Sequence, residues 1–132
     1  MTIPGSNRKI IILVEQDAAS REALGQTLMG DGFTVLSFPD YRGALNAAES
    51  DDRIDLLITG LRLPAGTPHG LALAAMIRMR RPQLPTIFTA DREDVERLAG
   101  EGSAVLEKPF EAAALIRVVT RLIGKPSCEA AP

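Results

Sequence analysis

Short apolar segments and longer amphipathic segments alternate along the chain. Five short segments are rich in β-branched residues and bounded by Gly, Pro or Asp, which predicts strands at Ile10–Val14, Thr34–Phe38, Leu56–Thr59, Thr86–Thr89 and Ala104–Leu106. A segment with helical spacing follows each of them, which predicts helices at Ala18–Met29, Tyr41–Ser50, Leu71–Arg81, Asp91–Ala99 and Glu111–Ile123. Asp17 and Asp40 stand where the first two helices need N-caps.

Five strand–helix repeats predict an α/β fold, namely a doubly wound five-stranded parallel sheet with helices on both faces. Ile10–Val14 and Leu56–Thr59 are apolar throughout, as strands in the middle of such a sheet must be. Ligands of these sheets bind beyond the carboxyl ends of the strands. The residues at those ends are Glu15, Gln16, Asp17, Gly60, Leu61, Thr89, Ala90 and Lys108.

Length and composition limit the classes of protein that this chain can be. Its 132 residues predict one domain over 9–124, with flexible ends at 1–8 and 125–132. Fifteen basic and seventeen acidic residues leave a net charge of -2, which argues against a nucleic-acid partner. Cys128 is the single cysteine, so no internal disulfide forms. We find no apolar segment long enough to span a membrane and no secretory leader, and we expect a cytoplasmic protein.

Four short motifs stand at the predicted strand ends. Residues 12–17 read Ile-Leu-Val-Glu-Gln-Asp, and residues 58–64 read Ile-Thr-Gly-Leu-Arg-Leu-Pro. Thr89-Ala90 ends the fourth strand, and Lys108-Pro109-Phe110 follows the fifth. In this order and at these spacings the motifs resemble the receiver domain of bacterial two-component response regulators, over about Lys9 to Gly124.

The resemblance implies a phosphorylation pocket, into which this sequence brings two substitutions. Family receivers bind Mg²⁺ with an acidic pair, with the phosphoacceptor aspartate and with a main-chain carbonyl two residues beyond it. Here Glu15 matches the first acid, but Gln16 replaces the second and Gly60 replaces the acceptor. The resemblance further implies that Arg62 supplies the carbonyl. It places Thr89, Ala90 and Lys108 at the positions beside the phosphoryl group.

A glycine has no side chain to phosphorylate, so we expect no phosphorylation at Gly60. Glu15 is the one remaining candidate for a side-chain metal ligand, and we expect Mg²⁺ to bind weakly if at all and no other cofactor to bind. Among other acceptors, Asp55 lies ~16 Å away at the start of its strand, which leaves Asp17 as the best substitute. We expect Lys108, without its usual partner, to form an ion pair or a water-bridged contact with Glu15.

The resemblance also implies an output surface. Val105 occupies the position of the family's aromatic switch residue. On the last helix, Ile116, Val119 and Ile123 are candidate interface residues, and the family's usual contact through helix 4, strand 5 and helix 5 suggests a homodimer. The alternative is that Ile116 and Ile123 only widen the stripe that faces the core.

These observations predict a stand-alone receiver domain, not an enzyme, whose partner is a histidine kinase or another signalling protein. It acts by protein–protein interaction without aspartate phosphorylation. Two alternatives stay open. The first is an ordinary phosphoreceiver whose acceptor was substituted in this copy. The second is a flavodoxin-like cofactor binder, which the Glu-Gln-Asp sequence at 15–17 disfavours because it repels a phosphate.

Overall fold

Five parallel strands form one sheet in a computed structural model that describes residues 8–50, 53–64 and 69–125. The strands, labelled β1 to β5 in chain order, are Ile10–Val14, Thr34–Phe38, Leu56–Gly60, Thr86–Ala90 and Ala104–Glu107. Their order in the sheet is β2-β1-β3-β4-β5, and all four pairings are parallel. This confirms the predicted fold, with β1 and β3 at the centre and the winding reversed between them.

The helices α1 to α5 are Ala18–Gly30, Tyr41–Glu49, Gly70–Arg80, Arg92–Val95 and Ala112–Ile123. The carboxylate of Asp17 accepts the Ser20 N–H at 2.8 Å and caps α1, as predicted. Asp40 caps α2 by accepting the Arg42 N–H at 3.0 Å. The observed helix and strand ends lie within one residue of the predicted ones, except in the fourth helix.

The fourth helix is shorter than the predicted Asp91–Ala99. It consists of one α-turn, α4, followed by a 3₁₀ turn at Glu96–Leu98. Leu98 is the one apolar residue of this segment that is fully buried, and the position one turn before it, Asp94, holds a buried carboxylate. A longer helix needs an apolar stripe to bury, and this sequence does not supply one.

The core has two layers because successive residues of β1 and β3 face opposite sides of the sheet. Ile12, Val14 and Leu57 pack on one side, under α2 and α3. Ile11 and Ile58 pack on the other side, under α1 and α5. All five side chains are fully buried, and this rigid centre holds the strand ends in fixed positions.

The candidate interface on α5 needs a correction. Val119 is fully buried in the layer under α1 and α5, so it cannot contact a partner. Ile116 and Ile123 are half-buried and pack against the same layer, as in the alternative that they widen the core stripe. Val105, at the predicted switch position, is half-buried against the other layer.

The predicted flexible ends lie outside the described residues, apart from Arg8 and Lys125, and so do residues 65–68 of the loop after β3. Within the described residues, no helix has the length and hydropathy needed to span a bilayer.

Candidate functional site

The carboxyl ends of four strands meet at one edge of the sheet and bring the predicted pocket residues together. Backbone hydrogen bonds continue the sheet past its regular part. The Leu61 N–H donates to the Thr89 carbonyl at 3.1 Å, and the Lys108 N–H donates to the Ala90 carbonyl at 2.8 Å. Gly60 and Thr89 are register partners in β3 and β4. The main chain therefore sets the spacing of these residues.

An ion pair joins the residue after β1 to the residue after β5. The Lys108 Nζ lies 3.0 Å from Glu15 Oε1, which confirms the expected contact. The Glu15 side chain is 5% exposed and that of Lys108 is 33% exposed. The second carboxylate oxygen of Glu15 accepts the Asp17 N–H at 3.1 Å. Both oxygens of this buried carboxylate thus have partners within the chain.

Gly60 leaves open space where a side chain would stand. A Cβ built on Gly60 would lie 3.7 Å from both Glu15 Oε1 and Thr89 Oγ1, and 3.8 Å from the Arg62 carbonyl oxygen. These are ordinary van der Waals distances, and the backbone of Gly60 is not left-handed. No steric or conformational requirement therefore demands glycine here. The cavity at this point is about 30 Å³, room for one or two water molecules.

Gly70, in contrast, is required by a close approach of the backbone. Its N–H donates to the Leu61 carbonyl at 2.8 Å. A Cβ on Gly70 would collide with the carbonyl oxygen of Gly60. The start of α3 consequently lies directly against the end of β3.

A second ion pair closes the other side of the pocket. The Arg62 guanidinium donates two hydrogen bonds to Asp94, at 2.8 and 3.0 Å, in a bidentate geometry. The Asp94 side chain is 2% exposed. The hydrogen bonds from Arg62 hold the pKa of the Asp94 carboxyl below its usual value, and they raise the pKa of Arg62.

Sequence reasoning missed Asp94 altogether and predicted only the main-chain carbonyl of Arg62. The pair joins positions 32 residues apart, so no local spacing reveals it. The only sequence signal is an acidic residue in the first turn of a helix, which ordinarily indicates a favourable interaction with the helix dipole.

Three other candidates from the sequence, Asp17, Asp55 and Gln16, are not among the residues that line the cavity at Gly60. Asp17 is the N-cap of α1, and the Ser20 backbone N–H holds the pKa of its carboxyl below the usual value. Asp55 accepts the Ile10 N–H at 2.8 Å at the opposite edge of the sheet. Gln16 is exposed. Within the described ranges, no three His, Cys, Asp or Glu side chains lie close enough together to hold a metal ion.

Comparisons with known proteins agree with this geometry. The family model of the response regulator receiver domain matches residues 11–120. Response regulator protein FleR of Pseudomonas aeruginosa is 34% identical over 115 residues, which cover 84% of this chain and 24% of FleR. The transcriptional regulator NtrC of Escherichia coli is 31% identical over 120 residues, covering 88% of this chain and 25% of NtrC. The chain thus spans about a quarter of the length of these relatives.

Solved receiver structures superpose closely. A receiver protein from Sinorhizobium medicae has a TM-score of 0.79 at 28% identity, covering 88% of this chain and 94% of its own. The receiver domain of the sensor kinase PA1611 from Pseudomonas aeruginosa, with magnesium coordinated in its active-site cleft, has a TM-score of 0.78 at 27% identity, covering 89% and 99%. With the sheet order, the pocket positions and these matches in agreement, the chain belongs to the receiver domains of two-component response regulators.

Proposed function

We propose that this domain is an atypical receiver, which signals by binding other proteins and is not phosphorylated at the end of β3. One observation carries the proposal. The acceptor position is Gly60, and the lysine of the pocket is paired with Glu15 instead. Phosphoryl transfer to a receiver needs a carboxylate nucleophile and a cation beside it. Here Gly60 provides no nucleophile, and the ammonium of Lys108 is paired with Glu15.

The oxygen ligands available in the pocket also argue against a bound Mg²⁺. Magnesium prefers an octahedral site with one or two carboxylates and several waters. Glu15 is the pocket carboxylate at a ligand position, and its oxygens face Lys108 and the Asp17 N–H. The PA1611 receiver holds magnesium in its cleft, whereas the residues here do not fit the ion. We therefore propose that the wild-type pocket does not hold Mg²⁺.

The partners that we propose are proteins of two-component signalling, a histidine kinase among them. Val119 is buried, and Ile116 and Ile123 pack against the core. These residues therefore give no support for a dimer through α5. We do not extend the proposal to a homodimer.

One observation favours a second candidate function, an ordinary phosphoreceiver whose acceptor was substituted in this copy. The pocket would accept a Cβ at Gly60 without moving a neighbour. An aspartate side chain at this position would then share Lys108 with Glu15. Reading codon 60 in the gene of the source organism separates the two candidates.

The experiment that tests the proposal is phosphorylation by a small donor. The protein is incubated with acetyl phosphate and Mg²⁺, and its intact mass is measured. We expect no phosphoryl adduct on the wild type and a Mg²⁺-dependent adduct on Gly60→Asp/Gln16→Asp, which restores the two carboxylates that this sequence lacks at the family's pocket positions. Gly60→Asn/Gln16→Asp is the matched control, since it has the same shape without the nucleophile. A stoichiometric, Mg²⁺-dependent adduct on the wild type would contradict the proposal, and peptide mapping would show whether Asp17 carries it.

A further inference from the structure

Helix α3 has apolar residues on its outer face as well as on its inner face. Residues 70–77 include no polar side chain. The inner face buries Leu73, Ala74 and Ile77 in the core, as expected. The outer face exposes Ala72, Ala75 and Met79, together with Arg78 and Arg80 near the carboxyl end, and Met79, at 85% exposed, is the most exposed large hydrophobic residue among those described. A helix that is apolar all round is normally covered on all sides.

The charged residues of helix α3 itself are all positive. From Leu56 to Ala90 the sequence contains four arginines and no acidic residue, so all seventeen acidic residues lie elsewhere in the chain. Arg78 is exposed beside Met79, and no ion pair or hydrogen bond joins its side chain to the described residues. Arg80, facing α2, approaches Glu49 only at 3.9 Å.

At the other end of the helix, Arg62 and Arg97 share one buried carboxylate, that of Asp94. Asp91 and Glu93 lower the local positive charge there, because both act on Arg62. Among the described residues, positive charge not matched by an acid is therefore concentrated at the carboxyl end of α3, around Arg78.

Shallow grooves lie at both ends of the exposed face. One, of about 300 Å³, is lined by Ala75, Arg78, Met79 and Pro82. The other, of about 260 Å³, is lined by Leu61, Leu71 and Ala72, with Arg62, His69 and Arg97 at its rim. Ala72, Ala75 and Met79 follow the spacing i, i+3, i+7, which forms a straight seam along a helix.

We propose that this face of α3, defined by Ala72, Ala75, Arg78 and Met79, docks an acidic amphipathic helix of a partner protein. The two alanines allow a second helix to approach closely, and Met79 adapts to the side chains that it meets. Carboxylates beside the apolar seam of the partner would pair with Arg78. The inference deepens the proposed function, since it names the surface by which such a receiver binds.

A second copy of this chain is a poor occupant of the same surface. An isologous contact between two α3 helices would bring Arg78 of each chain to the same interface without an acidic residue of α3 to balance it. Like charges at an interface oppose association. The occupant that the charges favour is therefore a different, acidic chain.

The test uses two synthetic helical peptides as probes, both with leucines at i, i+3 and i+7. One has glutamates on the flanks of this seam, and its control has lysines there. Each is titrated into the ¹⁵N-labelled protein. We expect the glutamate peptide alone to shift the amide signals of α3. Its affinity should fall about tenfold or more in Arg78→Glu and Met79→Glu, a change of about 1.4 kcal/mol.

Matched control variants distinguish binding at this surface from non-specific peptide binding. Met29→Glu changes a methionine of α1 that is 53% exposed, and Arg117→Glu changes an exposed arginine of α5. Both should bind the glutamate peptide as the wild type does. Circular dichroism melts establish that all four variants are folded.

Several results would overturn the inference. They are shifts on another face, equal binding of the lysine peptide, and no binding at millimolar peptide. Sedimentation that shows a dimer of the protein alone, abolished by Met79→Glu, would make a second copy the occupant. Binding to vesicles of anionic lipid that Met79→Glu abolishes would make a membrane surface the occupant. The phosphorylation assay is independent of all these measurements, so either claim can fail without the other.

Discussion

Removing the lysine of the pocket should destabilise the domain more than removing its carboxylate partner. In Lys108→Met the apolar length of the side chain remains, but the Glu15 carboxylate, 5% exposed, loses its cation. In Glu15→Gln the amide oxygen can still accept the Asp17 N–H. The ammonium left behind is 33% exposed and can turn to water. The asymmetry follows from the different burial of the two charges.

The size of the effect can be bracketed from the distance between the charges. Two unit charges 3.0 Å apart attract by about 5 kcal/mol at an effective dielectric constant of about 20 and by about 1 kcal/mol in bulk water. Solvent reaches Lys108, so the lower part of this range applies. Since a buried charge without a partner is costly, we expect Lys108→Met to lower the free energy of unfolding by about 2 kcal/mol. We expect Glu15→Gln to lower it by about 1 kcal/mol or less.

The assay is a double-mutant cycle by urea unfolding at pH 7, followed by circular dichroism. The double variant Glu15→Gln/Lys108→Met should be about as stable as Glu15→Gln, which gives a coupling equal to the loss in Lys108→Met, about 2 kcal/mol. Lys125→Met, an exposed lysine after α5, is the control and should be neutral. Equal losses in the two single variants, a larger loss in Glu15→Gln, or a coupling below about 0.5 kcal/mol would refute the reasoning.

Two further predictions concern the residues around the pocket. Because Arg62 lowers the pKa of Asp94, the pair stabilises the fold above the carboxyl's unfolded pKa of about 3.9 and ceases to do so as the pH falls through its folded pKa. Urea midpoints should therefore fall less in Asp94→Asn than in the wild type between pH 6 and pH 3, and an equal fall would contradict the assignment. Gly70→Ala should cost about 1–3 kcal/mol because its Cβ meets the Gly60 carbonyl. Gly30→Ala, with open space around it, should be neutral or stabilising by up to about 1 kcal/mol, and thermal melts of both variants measure the difference.

The sequence was sufficient to predict the sheet because its signals are local and repeated. The segments that became β1 and β3 are apolar on both faces, and the capping residues Asp17 and Asp40 stand at the starts of α1 and α2. The prediction was wrong for the fourth helix. The spacing there predicted one helix over Asp91–Ala99, but tertiary packing decides how much of a weakly apolar segment stays α-helical.

The site was predictable where the sheet itself brings residues together. Glu15 and Lys108 both follow strands of the same parallel sheet, so their proximity follows from the fold, and with Gly60 at the acceptor position Glu15 is a carboxylate within reach of the lysine. The pair of Arg62 with Asp94 was not predictable in this way. It depends on where a short helix is placed, and neither residue carries a local signal for the other.

These two ion pairs affect how a ligand could shift the domain between two conformations. A ligand shifts a conformational equilibrium only as far as it binds one state better than the other. Lys108 and Arg62, the cations that line the pocket, already have Glu15 and Asp94 as internal counterions. An added anion would have to displace one of these carboxylates, so the pocket offers it little differential binding energy. Under the proposed function, the free-energy difference between states therefore comes from outside the pocket, and the protein that we propose to dock on the exposed face of α3 is one source of it.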